Sequence, residues 1–231
     1  MDEMTLRVSE IFTSVDGEGP RAGGLATFVR LYGCGLRCTY CDTRYACTGE
    51  DFAELSVEEI LTRVLKTGVP QVTLTGGEPL AQSAAPALVL ALVDAGLSVS
   101  IETNGCVRIP DELFRNTRVS LCIDIKSPSS GESMKRVPEN FGSRLRDFDC
   151  VKLVVGDSDL PWARALLTEN SQLFGRARVY LSPIFGELTP TKLAEFMKSL
   201  PLSGVPVGLL RRTRMQMQLH KVLWPEAERG V

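Results

Sequence analysis

The chain has 231 residues, of which 44% are hydrophobic and 23% are charged. This balance is ordinary for a globular protein and argues against a disordered or fibrous chain. The 26 basic and 28 acidic side chains give a net charge of −2, without the basic excess of a nucleic-acid-binding protein. The amino terminus shows no secretory signal, and no apolar run reaches the ~18 residues of a membrane span. We therefore expect one cytoplasmic domain over residues 1–231, with neither nucleic acid nor membrane as a partner.

The predicted elements alternate between strands and helices, which favours parallel βαβ units and an α/β fold. Helices are predicted after Ser56, which forms a capping box with Glu59, across 84–95, and after the prolines at 161 and 190. The last thirty residues give no clear pattern. Strands are predicted at 7–12, 25–31, 72–75, 97–102, 118–126, 149–155 and 179–184.

Four unusual segments lie at or just beyond predicted strands. They are a cysteine-rich loop at 32–49, GGEP at 76–79, ETNG at 102–105 and DIK at 124–126. By itself, GGEP is more typical of a plain turn and ETNG of a strand end. The carboxyl ends of parallel strands meet at one edge, where α/β proteins place their sites. We therefore expect the four segments to converge on one site.

Two residue counts restrict the chemistry of a metal centre. His220 is the single histidine, which excludes zinc sites that need two imidazoles. The seven cysteines occur without a secretory signal, so a cluster of them indicates metal binding or catalysis and not a disulfide framework. We therefore expect cysteine thiolates to hold a transition-metal centre.

The loop at 32–49 holds Cys34, Cys38 and Cys41 in a C-x3-C-x2-C spacing. Three thiolates so close together are typical of zinc, copper(I) or iron-sulfur sites. One interpretation is a structural zinc ion with Cys47 as the fourth ligand, although a closed four-cysteine site normally has two paired CxxC motifs. The other is an iron-sulfur cluster in which one iron stays open to bind a substrate. The spacing favours the reactive cluster.

The C-x3-C-x2-C loop, with Tyr40 before its last cysteine, resembles the signature of radical S-adenosylmethionine (SAM) enzymes. This resemblance implies a 4Fe-4S cluster on the three cysteines, with SAM bound at the open iron. It also implies a partial, trimmed parallel β/α barrel. Asp124 departs from the family's SPK pattern, so Lys126 is the closer match there. The residues expected to bind SAM are Thr39, Tyr40, Gly77, Glu102, Asp124 and Lys126.

Longer segments resemble the 7-carboxy-7-deazaguanine synthase family. They are IFTSVDGEGPRAGGLATFVRLYGC, CDT, TGGEP, ETNG, DIKSPSSG, KLVV, YLSP and QLHKVLW, in matching order over most of the chain. The resemblance implies the ring contraction of 6-carboxy-5,6,7,8-tetrahydropterin to 7-carboxy-7-deazaguanine with loss of ammonia. This is a step of queuosine biosynthesis, a tRNA modification pathway. A homodimer and an external flavodoxin-like or ferredoxin-like electron donor are implied as well.

The same resemblance assigns substrate-binding residues. Arg30 is expected to bind the pterin carboxylate through its guanidinium group, the alternative being an ordinary surface ion pair. Thr43 matches the family's magnesium position, and one hydroxyl plus the substrate carboxylate suits an ion that keeps several waters. Asp16 stands where the family commonly has glutamine, and its carboxylate can only accept hydrogen bonds. The full set expected to contact substrate is Val15, Asp16, Gly17, Glu18, Arg30, Thr75 and His220.

Two other hypotheses remain open at this stage. A glycyl-radical activase shares the cysteine loop and the small size but gives no reason for Arg30, Thr43 and the DGEG loop. A zinc-binding interaction module would use the cysteines as scaffold. The remaining cysteines lack ligand spacing and are predicted to be small buried hydrophobes, namely Cys47, Cys106, Cys122 and Cys150.

Overall fold

The computed structural model describes residues 4–133, 137–227 and 229–231. Its strands are β1 (Thr5–Val15), β2 (Leu25–Leu31), β3 (Ala53–Ser56), β4 (Gln71–Gly76), β5 (Ser98–Thr103), β6 (Val119–Asp124), β7 (Cys150–Val155), β8 (Arg178–Pro183) and β9 (Thr213–Met215). Within the described residues these strands form one open sheet in the order β3-β1-β2-β4-β5-β6-β7-β8-β9. The predicted α/β fold with an incomplete barrel is confirmed.

Most of the helices lie in the connections between strands, and the last one follows the final strand. They are α1 (Val57–Lys66), α2 (Ala85–Asp94), α3 (Asp111–Arg115), α4 (Leu160–Glu169), α5 (Pro190–Ser199), α6 (Val207–Leu210) and α7 (Leu219–Leu223). The capping box predicted for α1 is present, because the Glu59 backbone N–H donates to Ser56 Oγ and the Ser56 N–H donates to the Glu59 carboxylate. Among the described residues, no helix has the length and apolar character that a membrane span needs.

The expectation of parallel strands holds along the run β2-β4-β5-β6-β7-β8-β9 of the sheet but is wrong for β1. Strand β1 runs antiparallel to both β2 and β3. Residues 16–24 join β1 to β2, and Val15 pairs directly with Leu25. A parallel crossover needs about a dozen connecting residues or more, so this short loop permits only an antiparallel pair.

The two faces of the central strands differ in polarity. Successive side chains of a strand point to opposite faces, so one face of β2 carries Val29 and Leu31 and the other carries Arg30. The apolar face belongs to the buried core, together with Ile60 of α1 and Leu88 of α2. The opposite face presents a polar belt near the carboxyl ends of the strands, formed by Arg30, Thr75, Glu102, Asp124 and Lys152.

Five elements were not predicted from the sequence: β3, α3, α6, β9 and α7. Each contains only three to five residues. Such lengths are too short for a helical or strand periodicity to emerge. The last of them, α7, brings the QLHK segment back to the polar face of the sheet, where the Leu219 N–H donates to the Gly17 carbonyl oxygen at 3.3 Å.

Candidate functional site

A cavity of about 520 Å³ opens at the carboxyl end of the parallel strands. The cysteine loop and the GGEP, ETNG and DIK segments all contribute to its wall, as their positions after strands predict. The cavity is lined by every site residue that the sequence suggested: Val15, Asp16, Gly17, Glu18, Arg30, Cys34, Cys38, Thr39, Tyr40, Cys41, Thr43, Thr75, Gly77, Glu102, Asp124, Lys126 and His220.

The cysteine loop is anchored at its base and at the middle of its cysteine motif. The Gly33 N–H donates to the Ala46 carbonyl oxygen at 2.7 Å, which closes the loop at its base. Thr39 donates its N–H to the Ser130 oxygen at 3.1 Å and its hydroxyl to the Ser129 oxygen at 2.6 Å. The connection after β6 therefore holds the middle of the loop in place.

The thiols of this loop have a polar environment. Cys34 Sγ accepts from the Leu36 N–H at 3.4 Å and from Asn104 Nδ2 at 3.8 Å. Hydrogen bonding by the Cys47 thiol lowers the pKa of Cys34 and Cys41 to about 6, against the opposing effect of burial. Thiolates are the metal-binding form of cysteine, so both side chains are prepared to ligate near neutral pH. Burial raises the pKa of Cys38.

Cys47 was considered as the fourth ligand of a zinc site and was otherwise grouped with the buried thiols, and the structure contradicts the second interpretation. Its thiol is half-buried, lines the cavity and is hydrogen-bonded to Cys34 and Cys41. A 3-10 turn at Arg44–Ala46 carries it back towards the first cysteine, which the spacing of the sequence does not show. The interpretation as buried thiols agrees with the structure for Cys122 and Cys150 but is wrong for Cys106, which is half-buried.

The glycines of GGEP allow two segments to pack closely. A Cβ atom on Gly77 would lie 2.9 Å from Cys34 Cβ and nearer still to the Gly33 carbonyl. The Gly77 N–H donates to the Leu31 oxygen at 3.0 Å, and the Glu78 N–H donates to the Gly33 oxygen at 2.8 Å. The family resemblance predicts that Gly77 binds SAM. The structure shows that Gly77 also lets the end of β4 contact the start of the cysteine loop.

Glu78 joins GGEP to ETNG, a function that the sequence did not indicate. Its carboxylate accepts from Thr103 Oγ1 at 2.8 Å, the Asn104 N–H at 2.7 Å and the Leu80 N–H at 3.1 Å. The side chain is almost completely buried, and burial raises the pKa of Glu78 to about 7 despite these donors. Glu78 therefore holds two strand ends together under the cysteine loop.

The wall beside the cysteines has the donors and acceptors that a zwitterionic ligand such as SAM requires. Asp124 Oδ2 accepts from Lys126 Nζ at 2.7 Å, whereas Oδ1 is buried and has no hydrogen-bond partner among the described residues. Burial opposes the charge of Lys126, but Asp124 keeps the pKa of Lys126 above its ordinary value. The Lys126 ammonium lies 5.8 Å from the centre of the Tyr40 ring, whose hydroxyl is 3.5 Å from Ser127 Oγ. An orphaned acceptor and a buried cation beside three thiols fit the cluster and SAM.

Arg30 is not an ordinary surface ion pair. Its side chain is about 10% exposed, and its Nε donates to Glu10 Oε1 at 2.6 Å. The Tyr45 hydroxyl donates to the same Glu10 oxygen at 2.6 Å. Arg30 is paired in register with Thr75, whose hydroxyl donates to Glu102 at 3.0 Å. The guanidinium group is thus oriented by Glu10 within the cavity wall.

Asp16, which stands where the family commonly has glutamine, connects the loop after β1 to the sheet. Asp16 Oδ2 accepts from Thr73 Oγ1 at 2.9 Å, and Oδ1 accepts from the Glu18 N–H at 3.4 Å. Burial raises the pKa of Asp16. A Cβ atom on Gly17 would lie 2.9 Å from His220 Nδ1, so this loop packs directly against α7. The Asp16 side chain therefore organises the loop.

The carboxyl-terminal QLHK segment contacts the cysteine loop through Asp42. The Asp42 carboxylate lies 3.5 Å from His220 Nε2 and 3.6 Å from Lys221 Nζ. Burial works against the Asp42 charge, but the His220 hydrogen bond and the Lys221 ammonium hold the pKa of Asp42 below its ordinary value. Thr43 Oγ1 is 3.8 Å from Cys41 Sγ, which places the expected magnesium residue next to a cluster cysteine.

Glu18 is held by two residues that sequence reasoning missed, of which Lys152 lines the cavity. Lys152 Nζ donates to Glu18 Oε2 at 2.7 Å, and Gln216 Nε2 donates to Glu18 Oε1 at 3.0 Å. Lys152 is the lysine of KLVV on β7, and its inward position follows from strand alternation beside Val151 and Leu153. That alternation was a usable signal. For Gln216, which is far from Glu18 in the chain, the sequence offers none.

Three comparisons with known proteins agree with these features. Residues 28–152 match the model of the radical SAM superfamily. The chain is 37% identical over 231 residues to the 7-carboxy-7-deazaguanine synthase of Clostridium acetobutylicum, covering 99% of this chain and 100% of the relative. It is 39% identical to the synthase of Chlorobaculum tepidum, with 99% of each chain covered.

Solved structures support the fold. The crystal structure of QueE from Escherichia coli superposes with a TM-score of 0.70 at 22% identity, covering 93% of this chain and 94% of that one. Streptococcus suis SuiB bound to S-adenosylmethionine superposes with a TM-score of 0.57 at 15% identity, covering 85% of this chain and 52% of SuiB. At these identities the similarity concerns the fold alone.

Proposed function

The chain belongs to the 7-carboxy-7-deazaguanine synthase family of the radical SAM superfamily, and we propose that it converts 6-carboxy-5,6,7,8-tetrahydropterin to 7-carboxy-7-deazaguanine. The reaction contracts the ring and releases ammonia, which makes the enzyme a carbon-nitrogen lyase. The observation that carries this proposal is the single cavity where the cysteine motif meets the DGEG loop, Arg30 and the QLHK segment. A glycyl-radical activase acts on a partner protein and gives no reason for Arg30, Thr43 and the DGEG loop in this cavity.

Cys34, Cys38 and Cys41 would hold a 4Fe-4S cluster, which together with SAM would supply the radical chemistry needed to remove a hydrogen atom from substrate carbon 6. The protein holds these groups and excludes water from them. Lys126 and Asp124 would bind the charged groups of SAM, since Asp124 Oδ1 is a buried acceptor without a partner among the described residues. Thr39, Tyr40, Gly77 and Glu102 complete the proposed SAM site.

The protein residues orient the substrate so that one C–H bond faces the radical. Arg30 would bind the carboxylate with the part of its guanidinium that Glu10 does not use. A magnesium ion at Thr43 would hold the same carboxylate and keep waters in its remaining positions. The loop Val15–Gly17, Glu18, Thr75 and His220 would contact the bicyclic ring.

The domain organisation, oligomeric state, electron donor and cellular location are proposed from the family resemblance. We propose that residues 1–231 act as one radical SAM domain, that two chains form a homodimer, and that a flavodoxin-like or ferredoxin-like protein delivers the electron. The proposed place of action is the cytoplasm, in the queuosine branch of tRNA modification. Gel filtration with light scattering tests the dimer, and a reduction assay with purified flavodoxin tests the donor.

The test uses protein reconstituted anaerobically with iron and sulfide, then mixed with SAM, magnesium, reductant and the tetrahydropterin. Mass spectrometry should detect 7-carboxy-7-deazaguanine. Cys38→Ala should abolish both the cluster absorbance and the product, whereas Cys150→Ala, a buried cysteine outside the C-x3-C-x2-C motif, should retain both. Thr43→Val should require more magnesium for half-maximal rate. A loaded cluster with no deazapurine product would contradict the proposed substrate.

A further inference from the structure

We propose that the Lys152–Glu18 ion pair recognises the lactam edge of the pterin, with the Lys152 ammonium donating to the ring carbonyl O4 and the Glu18 carboxylate accepting from N3–H and the 2-amino group. This inference rests on the proposed function and assigns to Lys152 a role in substrate specificity. Lys152 belongs to β7, on the opposite side of the cavity from the Arg30 strand.

The ion pair is built into the cavity floor. Lys152 Nζ and Glu18 Oε2 are 2.7 Å apart, and the two side chains are 11% and 10% exposed. Gln216 donates to the second Glu18 oxygen at 3.0 Å and itself accepts from the Gly19 N–H. Glu18 is therefore fixed from two directions, and its carboxylate plane cannot rotate freely. Both ion-pair residues line the cavity.

Lys152 has unused hydrogen-bonding capacity. An ammonium group carries three donors, and within the described residues Glu18 is its only hydrogen-bond acceptor. Burial by itself would lower the pKa of Lys152, but the charges of Glu18, Glu102 and Asp124 keep it well above its ordinary value. A charged donor that is almost completely buried, with spare N–H groups, calls for a polar ligand atom.

The hydrogen-bond donors and acceptors of the ion pair complement those along one edge of a pterin. A pterin presents, along one side, the 2-amino donor, the N3–H donor and the O4 acceptor. A carboxylate accepts from two parallel donors as it does from arginine, and an adjacent ammonium supplies a donor for the neighbouring carbonyl. At the other end of the cavity, Arg30 would bind the 6-carboxylate. The two ends together determine which way round the bicycle lies.

The test measures the binding of two stable analogues to cluster-loaded protein with SAM, by anaerobic equilibrium dialysis at pH 8. Pterin-6-carboxylate keeps the lactam edge of the substrate. In 2,4-diaminopteridine-6-carboxylate the O4 acceptor becomes a donor and N3–H becomes an acceptor, so both would oppose the ion pair. The wild-type protein should bind the pterin about 10 to 100 times more tightly, as expected for hydrogen bonds to charged groups.

Three variants separate recognition from folding. Lys152→Met should reduce this preference to less than about threefold. Because the methionine leaves the Glu18 carboxylate buried without its partner, the Glu18→Gln/Lys152→Met double variant removes both charges and should fold while also losing the preference. Lys192→Met removes a lysine that pairs with Asp157 at an exposed site on α5, and should behave as wild type.

A preference that survives in folded Lys152→Met and in the double variant would overturn the inference and leave the pterin reaction intact. Equal binding of both analogues by the wild type would also overturn it. If the wild type bound neither analogue, the proposed pterin substrate itself would be contradicted, and the inference with it.

Discussion

Replacing Gly77 by alanine should separate the end of β4 from the cysteine loop. The new Cβ would lie 2.9 Å from Cys34 Cβ and closer still to the Gly33 carbonyl oxygen, which accepts from the Glu78 N–H at 2.8 Å. Overpacking of this kind costs about 1–3 kcal/mol, and a buried N–H that loses its acceptor costs about 1–3 kcal/mol. Since both effects arise from one displacement, we expect a total loss of about 2–4 kcal/mol in the free energy of unfolding.

The variant also displaces the first cluster cysteine. Gly77→Ala should therefore retain less iron per chain after anaerobic reconstitution, in addition to unfolding at lower urea concentration. The matched control is Gly35→Ala, one residue after Cys34, where an added Cβ meets nothing within 4 Å. It should change the unfolding free energy by less than about 0.5 kcal/mol and load iron normally. If the two variants behaved alike, the steric argument for GGEP would be refuted.

Three further predictions concern other parts of the chain. Burial raises the pKa of Glu78 from 4.5 to about 7, so its stabilising effect is complete below the unfolded-state pKa and is lost as pH rises through about 7. Urea unfolding of the apo proteins gives the difference in unfolding free energy between the wild type and Glu78→Gln. This difference should fall by about 2–3 kcal/mol between pH 5 and pH 8, and a constant difference would contradict the pKa shift. Arg30→Lys should raise KM for the tetrahydropterin about 10- to 100-fold with a smaller change in kcat, because the planar fork is lost, and an unchanged KM would argue against a carboxylate contact. Ser56→Ala should lower the unfolding free energy by about 1 kcal/mol with unchanged turnover, and it serves as the stability control for the site variants.

The sequence predicted the parallel strands β4 to β8 well, because they are long enough to show apolar runs bounded by turn residues. It also placed the chemistry correctly at the strand ends, since residues that follow parallel strands must meet at one edge. The antiparallel β1 was missed because alternation within a strand carries no information on its direction. The nine-residue loop from Asp16 to Gly24 was the available clue, since no parallel crossover is that short.

The contacts of four residues at or near the site could not be predicted from the sequence, for one physical reason. Glu10, Asp42, Cys47 and Gln216 act through partners brought near by β1, a 3-10 turn or the carboxyl-terminal segment. Local periodicity and motif spacing describe neighbours along one element, whereas these contacts depend on how separate segments pack. Lys152 is the exception, because alternation on β7 places it on the polar face.

The most direct test of the proposed reaction compares product formed with SAM consumed. Reconstituted enzyme would be incubated with limiting SAM, excess 6-carboxy-5,6,7,8-tetrahydropterin, magnesium and reductant, and both compounds would be quantified by mass spectrometry over time. Our proposal that SAM acts as a cofactor and is regenerated in every turnover predicts many molecules of 7-carboxy-7-deazaguanine for each SAM lost. Accumulation of 5'-deoxyadenosine in proportion to SAM loss, with no deazapurine, would contradict the account.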